Sequence, residues 1–220
     1  MTEQTIAVIG GTGKLGLGIA RRLAIAGHRV LIGSRSAEGA QAAAADLGHG
    51  TLGLANAEAA AAAGIVFVSV PFAAQEATLR EITSHVQGKI VVDTTVPLVP
   101  PKVMRVQLPP DGCAAMRAQR LLGTDVRVIS AFHNVAATKL MSDEPIDCDV
   151  LVFGDDATAR GQVVGLVTGM RLRGLHAGAL ANSSAAEALT SVLIFLNRTY
   201  APGEGGIRIT GLSIPAHDGA

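Results

Sequence analysis

Short apolar runs rich in valine and isoleucine occur at 5–9, 29–32, 65–70 and 89–92, each too short for a buried helix and each read as a strand. Between them, 37–47, 57–63 and 73–85 are alanine-rich with helical periodicity, and so is the stretch containing 19–24. The strands are continuously apolar rather than alternating, the pattern of a parallel sheet covered on both faces. Gly27, Gly48, Gly64 and Gly88 stand where helix C-caps are expected. The order predicts an α/β chain with a Rossmann-type doubly wound parallel sheet, to which 51–54 adds a weaker strand.

Five prolines between 94 and 110 exclude a continuous helix or central strand, so this segment is a loop. Beyond it, 114–122 reads as helix, 126–131 and 149–154 as strands, and 156–169 as a helix capped by Asp155 or Asp156. A final helix spans 180–198. Its Leu189, Val192, Leu193, Phe195 and Leu196 give it more apolar surface than one face needs, which points either to a homodimer contact or to core. The pattern divides the chain into a nucleotide-binding domain, 1–130, and a smaller C-terminal α/β unit, 131–220. Glycines in Pro202-Gly203-Glu204-Gly205-Gly206 allow close approach of backbone to a flat ligand or a partner subunit.

Composition narrows the function. With 49% apolar residues in 220, the chain can bury a substantial core. Eighteen basic residues balance eighteen acidic ones, leaving no overall field for nucleic acid or an anionic membrane. Cys113 and Cys148 lack metal-ligand spacing, so no metal site is expected, and such sparse use of cysteine fits free thiols in a reducing compartment. The first strand begins almost at the N-terminus, and no apolar run approaches the roughly 20 residues that span a bilayer. A cytoplasmic protein is expected.

The strand at 5–9 flows into Gly10-Gly11-Thr12-Gly13-Lys14-Leu15-Gly16 and then into helix, which is the setting of a dinucleotide-binding turn. Gly11 is expected to permit the tight turn, Gly13 to admit a diphosphate, and Gly16 to let the helix pack closely. The unpaired N–H groups and positive end of the helix then receive the phosphates. Where proteins that prefer NAD carry an acidic residue for the ribose 2'-hydroxyl, this chain has Gly33-Ser34-Arg35-Ser36. A guanidinium can bind a 2'-phosphate through charge-assisted bonds, with the Ser34 and Thr12 hydroxyls adding donors, so the nucleotide is read as NADP.

Ligands of such sheets lie beyond the carboxyl ends of the strands, at Val70-Pro71-Phe72, Thr94-Thr95-Val96-Pro97-Leu98 and the 131–137 loop. Pro71 and Pro97 stiffen their loops and suit walls for the nicotinamide ribose and ring. An alcohol dehydrogenase needs a base, yet the chain has one tyrosine, Tyr200, and a single histidine of interest in these loops, His133. His133 reads either as an acid–base group or as a core-lining residue, and no residue is assigned a catalytic role. Hydride transfer between two cofactor rings needs chiefly proximity and orientation, which such a site can supply.

These residues resemble the NADPH-dependent reductases of the 8-hydroxy-5-deazaflavin coenzyme, coenzyme F-420, also called F-420-dependent NADP oxidoreductases. The likeness runs almost end to end. It includes the glycine turn, Gly33-Ser34-Arg35, the Val-Pro-Phe and Val-Pro-Leu loops, Phe153-Gly154-Asp155-Asp156, the 177–183 stretch, and Glu187-Ala188-Leu189-Thr190 through to Gly206-Ile207. The resemblance implies direct hydride transfer between nicotinamide C4 and deazaflavin C5, in a cleft between a large and a small domain of a dimeric enzyme. It implies that Thr12, Gly13, Lys14, Leu15, Ser34 and Arg35 hold NADP and that Val70, Val96 and Ala137 touch its nicotinamide half. His133, Val135, Ala136 and Gly205 would border the deazaflavin. Family members often have Ile-Pro at Val135-Ala136 and a large aliphatic residue at Gly205, so this chain has a wider second-ring pocket. A reductase of a flavin, imine or ketone on the same scaffold, or a protein that binds NADP without turnover, remains open on the residues alone.

Overall fold

A computed structural model describes residues 4–200 and 204–213. Six strands form one parallel sheet: β1 (Thr5–Ile9), β2 (Arg29–Ser34), β3 (Leu52–Ala55), β4 (Ile65–Val68), β5 (Ile90–Asp93) and β6 (Arg127–Ser130). Their order is β3-β2-β1-β4-β5-β6, so the order reverses between β1 and β4. The connecting helices are α1 (Lys14–Ile25), α2 (Ala37–Leu47), α3 (Asn56–Ala62), α4 (Phe72–Ile82) and α5 (Ala114–Leu122). This is the expected doubly wound α/β fold. Alternate strand residues supply the two faces: Ile6, Val8, Ile32, Phe67, Val92 and Ile129 pack with α1 and α2, whereas Ala7, Ile9, Leu31, Val68 and Val91 pack with α3, α4 and α5.

Helices α1 and α2 cover only part of their face. The rest is covered by the C-terminal unit, in which β7 (Asp149–Val152) and β8 (Arg173–His176) form a parallel pair linked by α7 (Ala157–Gly169). Val150, Val152, Val163 and Val167 join the same apolar cluster as Phe67 and Ile129. An antiparallel bridge between Ser130 and Phe153 ties the two sheets together. A short helix, α6 (Ala137–Leu140), lies against α1, and Gly18 makes this possible, because a Cβ there would stand 2.6 Å from the Leu140 Cβ. Buried Arg22 on α1 donates to the carbonyls of Lys139, Leu140, Ser142 and Glu144, so the loop after α6 is pinned to the first helix. The last helix, α8 (Ser183–Tyr200), packs on α5.

Several elements differ from the sequence reading. β4 ends at Val68, so Ser69 and Val70 belong to the loop beyond the sheet. Gly64 is not a left-handed cap: α3 ends on Ala63 in extended conformation, and Gly64 has no positive φ. Of the two expected caps of α7, Asp156 is the one used, accepting from the Ala159 N–H at 2.8 Å. The 180–198 helix is a 3-10 turn, Leu180–Asn182, followed by α8. Neither α6 nor β8 was anticipated, the first because it is a single turn, the second because its Arg-Gly-Leu-His sequence has neither an apolar run nor alternation.

Candidate functional site

The turn from β1 to α1 is built by steric exclusion. Gly10 has φ +75°, and a Cβ on it would lie 2.3 Å from the Ser69 carbonyl oxygen of the neighbouring strand end. Gly10 is the left-handed residue of the turn. Gly11 is needed because a Cβ would meet the Val8 carbonyl at 2.7 Å, and Gly16 because one would meet the Gly10 carbonyl at 2.6 Å. The Gly10 and Gly11 N–H groups both donate to the Gly33 carbonyl, at 3.0 and 3.2 Å. Gly13 is different: its nearest neighbour in that direction is the Gly10 carbonyl at 3.3 Å, so its glycine leaves an open surface. Gly13 is also the N-cap of α1, which has no side-chain cap and no acidic residue in its first turn. The free N–H groups and the positive end of the helix dipole thus face outward.

Beside this turn lies a cleft of about 180 Å³ walled by Thr12, Gly13, Ser34, Arg35, Val70 and Pro71, six of the expected residues, together with Asn56, Ser69, Ala74 and Thr78. Gly11 lies buried beneath the turn, exposed Lys14 opens α1, and Leu15 packs against the core. Arg35 is exposed and has no hydrogen bond or ion pair among the described residues. The nearby carboxylate, Glu38, accepts from the Ser36 hydroxyl at 2.8 Å, and that hydroxyl caps α2 by accepting from the Gly39 N–H. Ser34 Oγ accepts from the Ser36 N–H at 3.4 Å, leaving its own proton to donate. An unpaired guanidinium, a free hydroxyl and an uncapped helix end in one cleft fit a dinucleotide with an extra ribose phosphate.

The remaining expected residues occupy neighbouring loops at the same carboxyl edge of the sheet. Half-buried Val96 and buried Pro97 follow β5, in a turn closed by the Leu98 N–H on the Val96 carbonyl at 2.7 Å. Val135, Ala136 and Ala137 are half-buried where α6 begins. His133 is turned inward: its Nε2 lies 2.8 Å from Ser130 Oγ, and its ring sits beside Phe153. Burial lowers its pKa to about 4, so the imidazole is neutral at physiological pH. The Thr190 hydroxyl donates to the His133 carbonyl, and Asn134 Nδ2 donates to the Ala186 carbonyl, which tethers this loop to α8.

Gly205 reaches the same region on a C-terminal strap. Its N–H donates to Asn197 Oδ1 at 2.8 Å, and the adjacent Gly206 packs so closely that a Cβ would lie 3.1 Å from the Asn134 carbonyl. Buried Asp149 holds the strap further on. It pairs with Arg173 through both carboxylate oxygens and accepts from the Ile209 N–H at 2.6 Å. Pro202 and Gly203 lie outside the described residues.

Behind the β5 loop is a buried polar network. Asp93 accepts from Gln75 Nε2 at 2.7 Å and from the Thr95 hydroxyl at 2.7 Å, and desolvation raises its pKa to about 6. Glu187, 1% exposed, accepts from the N–H groups of Ala114 and Ala115 at 2.6 and 3.1 Å and so caps α5 from α8. Desolvation raises its pKa to about 8. Asp155 accepts from the Leu180 N–H at 2.9 Å. Glu187 and Asp155 lie in stretches that resemble the deazaflavin-linked reductases, and here both carboxylates bind backbone. Of the cleft residues missed in the sequence, Ala74 and Thr78 are one helical turn apart after Pro71, a spacing that could have revealed them. Asn56 follows the weakest strand and gave no comparable signal.

The family model of F420-dependent NADP oxidoreductases matches residues 5–97. The chain is 38% identical to the F420-dependent NADP reductase of Methanocaldococcus jannaschii, over 95% of this chain and 99% of that one. It is 40% identical to the F420-dependent NADP reductase of Methanothermobacter thermautotrophicus, over 94% of this chain and 95% of that one. Among solved structures, a protein of Arthrobacter sp. FB24 that its solvers assign, provisionally, as an F420-dependent NADP-reductase superposes with a TM-score of 0.79 at 28% identity, covering 92% of this chain and 96% of that chain. Full-length similarity at this level, on a fold that carries the matching nucleotide cleft, makes the chain a member of the F420-dependent NADP oxidoreductase family.

Proposed function

We propose that this protein transfers hydride between NADP(H) and coenzyme F-420. The observation that carries the reading is the meeting, in one cleft, of the uncapped N-terminus of α1 with the unpaired Arg35. The Lys14 and Leu15 N–H groups, reached across the open surface of Gly13, hold the diphosphate, and Ser34 and Arg35 hold the 2'-phosphate. Val70, Pro71, Val96, Pro97 and Ala137 line the path of the nicotinamide along the ends of β4, β5 and β6. His133, Val135, Ala136 and Gly205 border the second ring.

When both are bound, the nicotinamide and the deazaflavin supply the hydride donor and acceptor. The protein's part is to orient the rings and exclude water. A neutral His133 fixed to Ser130 suits that role, since near pH 7 it is not the imidazolium that a general acid would require. Residues 1–130 serve the nucleotide and 131–220 complete the second-ring pocket. The exposed Val192, Phe195 and Leu196 of α8 support a homodimer, and the two buried free thiols suit the cytoplasm.

The test mixes the protein with NADPH deuterated at nicotinamide C4 and coenzyme F-420, with flavin mononucleotide and a carbonyl panel as controls. Deuterium recovered at deazaflavin C5 is the expected result. Reduction of a flavin, ketone or imine with none of coenzyme F-420 overturns the reading.

A further inference from the structure

Asn56 is 2% exposed, yet it is a wall of the nucleotide cleft. Its Nδ2 donates to Glu81 Oε2 at 3.0 Å. A carboxylate only accepts, so this contact fixes which way the amide is turned. Oδ1 is thereby committed to the other side, where it is buried with no hydrogen-bond partner. Gly33 leaves room for it, because a Cβ on that residue would lie 3.3 Å from Asn56 Oδ1. A buried acceptor without a donor is costly, and one on the wall of a ligand cleft calls for a donor from the ligand.

Topology says which donor. Ala55 pairs in register with Ser34, so Asn56 stands one residue beyond the sheet on the strand outside β2, level with Arg35. In the reading given above, the diphosphate occupies the α1 end and the 2'-phosphate occupies Ser34 and Arg35. The ribose between them is held near the glycine turn. The adenine base is left to lie over Ala74 and Thr78, toward α3 and α4. We propose that Asn56 reads the base of the nucleotide, its Oδ1 accepting a hydrogen bond from the exocyclic amino group of adenine. Asn56 then selects a 6-aminopurine over a 6-oxopurine, independently of the phosphate preference set by Arg35. Glu81 is a positioning residue that holds the amide in the accepting orientation.

This inference rests on NADP occupying the cleft, and the test separates the two. Dissociation constants are measured by calorimetry for NADPH, NADH and the hypoxanthine analogue of NADPH, in which a carbonyl oxygen replaces the amino group. The NADPH to NADH ratio reports the phosphate site, and its loss would count against the reading of the cleft. The wild-type protein is expected to bind NADPH roughly tenfold or more tightly than the hypoxanthine analogue, since two acceptors would otherwise face each other. Asn56→Leu is expected to bring that ratio close to one while keeping the preference for NADPH over NADH. Equal wild-type affinities for the two purines overturn the assignment whether or not any variant folds. A folded Asn56→Leu protein that keeps the full purine preference overturns it as well.

Discussion

At the residue scale, charge and burial separate Arg35 from His133. Arg35 is exposed and unpaired among the described residues, so its charge is available to a ligand. Arg35→Ala should remove most of the preference for NADPH over NADH, at least tenfold, as one charge-assisted contact contributes about 1.5–3 kcal/mol. Titration of both nucleotides checks this, and an unchanged ratio would refute the 2'-phosphate site. His133 has a folded pKa of about 4 against an ordinary value of 6.5. Between these values the unfolded chain binds the extra proton, so the stability due to neutral His133 is complete above pH 6.5 and is lost as pH falls through 4. His133→Ala should lower turnover by less than the roughly 100-fold expected for a lost acid or base. It should also flatten the fall in urea-denaturation stability between pH 6.5 and 5. A thousandfold loss of turnover would mean a proton donor. Nothing in the sequence around His133 showed which way its ring turns, because the Ser130 and Phe153 partners are set by the join of the two sheets.

At the element scale, α5 shows a local pattern completed from far away. Its nine residues, Ala114–Leu122, were legible from periodicity and a following glycine, but its cap was not, since Glu187 arrives from α8. Glu187→Ala leaves two buried N–H groups without their acceptor and should cost about 2–3 kcal/mol, read as a lowered Tm. The pH dependence has the opposite sign to that of His133. With its pKa raised from 4.5 to about 8, native Glu187 holds a proton that the unfolded chain releases. Its contribution is present below 4.5 and is lost as pH rises through 8. From pH 6.5 to 8.5, where His133 contributes no slope, wild-type stability should fall more steeply than that of Glu187→Ala. Equal slopes would show that Glu187 is ionised in the folded protein. On the C-terminal strap, a Cβ on Gly205 would meet Asn197 Oδ1 at 2.4 Å, so Gly205→Leu disturbs the strap as well as any ring beside it.

At the scale of the whole molecule, the apolar surface of α8 divides between its two sides. Leu193 is buried against the body, whereas Val192, Phe195 and Leu196 are 44%, 52% and 40% exposed. If this face joins two copies, Phe195→Asp combined with Leu196→Asp should convert a dimer into a monomer in light scattering at micromolar concentration, with little loss of Tm in the isolated subunit. A wild-type protein that is monomeric under those conditions refutes the dimer.

The doubly wound parallel sheet, the glycine turn and the Ser34-Arg35 end of β2 were legible in the chain before any fold was known. Each is specified largely by neighbours in the chain: β-branched runs, Gly11 and Gly16 excluded from bearing a Cβ by backbone a few residues away, and a guanidinium where a carboxylate would repel. Tertiary structure decided the rest. The inward turn of His133, the Glu187 cap on α5, the clamp of Arg173 and Asp149 on the strap, and the unpartnered Asn56 Oδ1 all depend on contacts between residues distant in sequence. Local periodicity encodes which face of an element is apolar, but a hydrogen bond across the fold exists only once packing has brought both partners out of water.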